Sequence, residues 1–282
     1  MKYNWDDNKL KKLLTNDEVL LDKNYSNELQ LEINSLRYAL NMPVIKQLMC
    51  DTNNKASLVI TSSVDYIFKR NFKNPNQVYF NLSPRNIIVR ARKTMESNEK
   101  RYFNKLIKHK NFNMSDNKSE TFYLPYHNDN LINILNRGRL SDARNIMHEI
   151  AHAMYYKELK YSELENLSGS YLKEVLPILN EMFFIDRLDK YDEIISEQNI
   201  FLSNYYKWYR ESISCDTYCQ SFVIAEYLFM LYKEDKNKFN YQYNLFKEKL
   251  KETTDERIIS ELKIGSTDLL SSNDKYLILY KK

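Results

Sequence analysis

The chain carries the run His148-Glu149-Ile150-Ala151-His152, and it has only four histidines in 282 residues. On an α-helix, positions i and i+4 share a face, so two imidazoles so spaced can reach one metal ion. Zinc held by such a pair lowers the pKa of a bound water towards neutrality, and a neighbouring carboxylate can accept the proton. These residue types point to a zinc-dependent hydrolase with Glu149 as general base. A pattern with three specified positions also arises by chance on a solvated helix, so its setting decides. Residues 141–156 read as one helix, with Ala143, Ile146, Met147, Ile150, Ala151 and Met154 forming an apolar stripe in steps of three and four. Ser141 and Asp142 stand where an N-cap and a first-turn acid belong, and Gly138 upstream suits a turn.

A catalytic zinc commonly has three protein ligands and one open position. No histidine follows His152, which excludes a third histidine downstream and points to an acid. Glu158, Glu163, Glu165, Glu174 and Glu181 are the candidates. Glu158 lies on or just past the same helix and would struggle to curl back. Glu163 and Glu165 fall in a polar connection over residues 160–169. Glu174 lies early in a second apolar helix over residues 171–188, and an antiparallel helix pair would bring it beside His148 and His152. Glu181 is seven residues further on and close to the same face. It either orients a ligand through a hydrogen bond or is an ordinary acid paired with a lysine.

The run Asn136-Arg-Gly-Arg-Leu-Ser-Asp-Ala-Arg-Asn-Ile-Met-His-Glu-Ile-Ala-His-Ala-Met-Tyr resembles the active-site helix of the thimet oligopeptidase and oligoendopeptidase F family of zinc metallopeptidases, which are gluzincins. The later run Ser168-Gly-Ser-Tyr-Leu-Lys-Glu-Val-Leu-Pro-Ile-Leu-Asn-Glu-Met-Phe-Phe is similar to that family's second zinc helix. The resemblance covers residues 136–188 well and the rest of the chain weakly. It implies that His148, His152 and Glu174 hold one zinc ion per chain and that Glu181 matches a second conserved-type acid of the motif. It also implies a small sheet beside the zinc helix whose edge holds an extended peptide. Residues 131–135 are the expected edge.

The sequence departs from the family in two places. Ala151 stands where the family usually has glycine. Downstream, the family has a histidine and tyrosines that hydrogen-bond the substrate carbonyl and the developing oxyanion. The corresponding stretch here, residues 208–222, contains no histidine. Tyr218 is the best candidate for the oxyanion donor, with Tyr209 and Tyr227 as rivals. One alignment instead puts Cys215, Cys219 and Phe222 at the tyrosine positions.

The remaining elements must position these groups. Three glycines and five prolines in the whole chain argue against a loop-rich β protein. The expected fold is mainly α: a multi-helix bundle with a small β-sheet next to the zinc-binding helix pair. Helices are expected over residues 27–49, 84–109, 191–210, 216–232, 236–251 and 255–262. Residues 57–72 read as helix or strand, and two short β-like runs fall at 121–124 and 131–135. His127, between those runs, reads as a turn residue or as a group approaching the site. The apolar stretch 276–280 is expected to dock on the body. The expected division is an N-terminal helical region, 1–115, and a catalytic region, 116–282, within what can be one continuous domain. The chain is shorter than the family's members, which implies a more open cleft or a homodimer that closes it.

The formal net charge of +4, from 42 basic and 38 acidic residues, is too mild to call for nucleic acid. Basic clusters at 69–70, 90–93 and 105–110 read as solvated helix faces, or as a cleft for acidic peptides. Cys50, Cys215 and Cys219 make no even disulfide framework. The N-terminus lacks an apolar signal region, and no apolar run is long enough to span a bilayer. The sequence reading is therefore a cytoplasmic zinc endopeptidase for short peptides, without nucleic-acid or membrane partners. A zinc-containing peptide binder that has lost turnover is the alternative, and a basic helical nucleic-acid binder with an accidental motif a more distant one.

Overall fold

Ser83 and Pro84 start the first helix among the described residues for local reasons. The serine hydroxyl accepts from Asn86 N, and proline at the first helical position gives up an amide that would have no partner there. The structure, a computed structural model, describes residues 81–115, 118–124, 128–159, 163, 171–211 and 215–251. The expectations for residues 27–49, 57–72, 255–262 and 276–280, and for His127 and Glu165, lie outside the described residues.

Helix α1 spans Pro84–Thr94 and α2 spans Ser97–Lys108. The sequence pattern predicts one helix across both, and the structure breaks it at Met95 and Glu96. The break is capped from both sides. The Glu99 carboxylate accepts from Glu96 N at 2.6 Å, completing a capping box with the Glu96 side chain. Arg187 donates to Thr94 O at 3.0 Å, satisfying a carbonyl that the ended helix leaves open. The kink also drops Met95 into the core.

Three strands follow: β1 (Phe112–Ser115), β2 (Glu120–Leu124) and β3 (Asp129–Leu135). Their order is β1-β3-β2, with β1 parallel and β2 antiparallel to β3. Residues 131–135 are therefore in the central strand, not at the edge expected from the resemblance. The short, parallel β1 pairs Phe112 through Ser115 with Ile132 through Leu135 and takes that position. Among the described residues, the outer strand on the other side is β2. Residues 130–134 of β3 are all buried, as a strand covered on both faces requires.

Gly138 turns the chain into α3 (Leu140–Tyr156) at φ +69°, where a side chain would be strained. The Asp142 carboxylate caps that helix, accepting from Arg137 N at 2.7 Å and Arg139 N at 3.0 Å. A 3₁₀ turn, Tyr171–Glu174, leads into α4 (Val175–Asp186), so the predicted second helix begins with a tighter turn. Helices α5 (Tyr191–Glu211), α6 (Cys215–Glu234) and α7 (Lys236–Leu250) complete the described bundle. Helix α3 packs on α4, and Ala143, Ile146, Met147 and Ile150 on the first and Val175, Ile178, Leu179 and Met182 on the second are all nearly inaccessible. Burying each Leu, Ile, Val or Met side chain contributes about 1.5–3 kcal/mol. One core cluster joins α1 and α2 to the sheet, α3, α4 and the later helices. No helix among the described residues is long and apolar enough to cross a membrane.

Candidate metal centre

Helices α3 and α4 run antiparallel, as their polar contacts show. Glu174 meets His152 and His148, and seven residues later Glu181 meets His148 and Arg144. The structure therefore brings together three of the residues singled out in the sequence. His148 Nε2 lies 3.3 Å and His152 Nε2 3.2 Å from the same Glu174 oxygen. One ligand atom from each of His148, His152 and Glu174 falls within 4.8 Å of the others. Zinc bonds of about 2.0–2.2 Å at tetrahedral angles separate ligand atoms by about 3.3–3.5 Å, so this donor set fits the ion. Glu158 points elsewhere and pairs with Lys247.

Glu181 hydrogen-bonds His148 Nδ1 at 2.7 Å. A carboxylate there holds the Nδ1 proton and leaves the Nε2 lone pair for a metal. The partner of Glu181 is not the lysine of the ordinary reading but Arg144, whose Nη1 donates to it at 2.7 Å. Arg144 Nε donates to Glu197 at 3.1 Å, and the guanidinium lies 5.2 Å from the Phe201 ring centroid. Arg144, Glu181 and Glu197 are all buried. Sequence reasoning missed Arg144 and Glu197. Arg144 sits one helical turn before His148, which is a usable signal, but nothing in the spacing of Glu197 links it to the motif.

Glu149 is 6% exposed and points from α3 to the sheet, where the Thr121 hydroxyl lies 2.8 Å from its Oε2. Burial pushes the Glu149 carboxyl above its usual pKa, against the pull of His148, His152 and Thr121. Burial pulls His148 down, but its bonds to Glu174 and Glu181 outweigh that and hold its pKa well above the usual value. Burial likewise raises Glu174, yet the two histidines overcome it and hold that carboxyl well below the usual range. In Glu197 burial prevails over Arg144 and raises the pKa.

Tyr218 lies in the first turn of α6; its side chain is outside the described residues, as are those of Tyr209, Cys215 and Cys219. Tyr227 and Phe222 are buried in the core, and Phe222 packs on Phe201 with ring centroids 5.8 Å apart.

No family model matches this sequence, and no curated protein does. Solved structures do match it in fold. One is a protein provisionally named oligoendopeptidase F from Bacillus anthracis strain Ames, at TM-score 0.61 and 8% identity. The match covers 90% of this chain and 62% of that one. The chain has an oligoendopeptidase F-like fold. Another structure, also provisionally named oligoendopeptidase F, matches at TM-score 0.59 and 11% identity, over 97% of this chain and 65% of that one. The chain thus spans somewhat less than two thirds of the length of these oligoendopeptidase F structures. Mainly helical architecture with a small three-stranded sheet agrees with the fold class read from the sequence.

Proposed function

We propose that this chain is a zinc metalloendopeptidase that hydrolyses peptide bonds in short peptides. The observation that carries the reading is the convergence of His148, His152 and Glu174 on one point, with Glu149 on the same helix. The oligoendopeptidase F-like fold supports it. His148, His152 and Glu174 would hold the ion, one per chain. When bound, zinc acidifies a coordinated water and polarises a carbonyl.

Glu149 accepts a proton from the attacking water and passes it to the leaving amine nitrogen. Glu181 keeps His148 in the tautomer that presents Nε2. Tyr218 is the proposed donor to the developing oxyanion. A cytoplasmic site of action belongs to the same proposal.

The test is direct. Purified protein should carry about one zinc per chain by metal analysis and cleave a mixed peptide library. Glu149→Gln should keep the zinc and lose turnover by a factor of at least about 10³. Absence of metal would sink the proposal. A second reading, a zinc-containing peptide binder without turnover, has one observation in its favour. Phe222, at one of the aligned tyrosine positions, is fully buried and offers no hydroxyl. Zinc without cleavage of any library peptide would select that reading.

A further inference from the structure

The outer strand β2 offers two side chains to α3. Alternation along a strand puts residues 121 and 123 on one face and 122 and 124 on the other. Phe122 and Leu124 are buried. On the other face, Thr121 meets Glu149, and the Tyr123 ring lies 6.3 Å from that of Tyr156, which stacks at 5.4 Å on His152. One strand face therefore borders both the carboxylate of the motif and the aromatic support of its second histidine.

Thr121 Oγ1 stands 2.8 Å from Glu149 Oε2 and 2.9 Å from the Glu149 carbonyl oxygen. A hydroxyl has one proton and donates to one of these at a time. Both acceptors belong to the same residue, so the hydroxyl stays on Glu149 whichever oxygen takes its proton. The threonine is itself held in place. It pairs with Ile132 in the β2–β3 ladder, and β3 is fastened to α3 by Asn130 Nδ2, which donates to Ala153 O at 2.9 Å. A β-branched side chain has few χ1 options, so the hydroxyl does not wander. A hydroxyl also suits the task chemically. It donates to a carboxylate without placing a charge beside it, whereas a lysine or arginine here would form an ion pair.

We propose that Thr121 is the positioning residue for Glu149. It engages Oε2 and sets the carboxylate's orientation, so that proton transfer falls to Oε1. The inference rests on the reading of Glu149 as general base and adds a residue from outside the helical motif.

Two measurements test it. Thr121→Val keeps the shape and removes the donor. In the zinc-loaded protein it should lower kcat about 10- to 100-fold, through misplacement of a reacting group, with KM and zinc content unchanged. Thr121→Ser should restore kcat, because the donor returns. The second measurement needs neither metal nor turnover. A double-mutant cycle of Thr121→Val and Glu149→Ala, read by denaturant unfolding of the metal-free protein, should show a coupling of about fivefold or more in the unfolding constant. An additive cycle overturns the proposal whether or not the wild type cleaves peptides. So does an unchanged kcat in Thr121→Val. A coupled cycle in a wild type that binds zinc and cleaves nothing also overturns it, and locates the failure in the general-base reading rather than in the contact.

Discussion

His148 and His152 stand four residues apart on one helix, share the Glu174 oxygen, and are supported in different ways. Behind His148 runs a chain of charge: Glu181 at 2.7 Å, then Arg144, then Glu197 on α5. Behind His152 no such chain stands among the described residues. Its Nδ1 is buried with no hydrogen-bond partner among them, and its ring stacks on Tyr156 at 5.4 Å. Hydrogen bonding fixes a tautomer as well as a direction, whereas stacking fixes only the plane of the ring. The difference teaches that the electrostatic definition of the site enters through His148. The first half of α3 faces α4 and α5 across buried charges, and its second half is bordered by aromatic rings and the sheet.

Breaking the charged side should have the largest effect. Arg144→Met leaves the Glu181 and Glu197 carboxylates buried without their cation. Loss of one partner from a buried ion pair costs about 3–5 kcal/mol, so thermal or denaturant unfolding should show a drop of that order. A variant within about 1 kcal/mol of wild type would mean that water reaches these carboxylates and that the chain is not closed.

Glu181→Gln should come next. It keeps the volume and removes the charge that holds the His148 Nδ1 proton. Zinc affinity, measured by chelator competition, should fall about 10- to 100-fold. The aromatic side should respond less. Tyr156→Leu removes the stack on His152 and should lower zinc affinity only a few-fold, in line with about 0.5–1.5 kcal/mol for a ring pair. If Tyr156→Leu weakened binding more than Glu181→Gln, the ranking of the two sides would be reversed.

The smallest expected effect concerns pH. The Glu197 pKa is raised by burial despite Arg144. A carboxyl whose folded pKa lies above its unfolded value contributes most favourably below the unfolded pKa. That contribution is lost as pH rises through the folded value. Glu197→Gln keeps an acceptor for Arg144 and removes this titration. Melting temperatures taken from about pH 4 to pH 7 should therefore fall less with rising pH in the variant than in wild type. Equal slopes would remove Glu197 from the account.

Several expectations came straight from local pattern. The apolar stripe of α3 and the apolar run of α4 follow from side-chain spacing along a helix, Glu174 was one of the acids within reach, and the structure places it with the two histidines. The break between α1 and α2 was not legible, because the basic run reads as continuous helix. What ends it includes Arg187, about ninety residues away, donating to Thr94 O. The central place of β3 is not legible for a similar reason. Its five buried residues are equally compatible with an edge or a centre until β1 pairs with it, and β1 is only four residues long.

The sequence by itself determined that two imidazoles and a carboxylate share one helix, since the 3.6-residue period sets which side chains face together. It also excluded a histidine downstream of His152 as the third ligand, by containing none there. The tertiary structure decided which acid converges with the pair, which partner holds His148, and that a threonine from a strand reaches Glu149. Those choices depend on contacts between residues 22 to 53 positions apart, and no local periodicity encodes such distances.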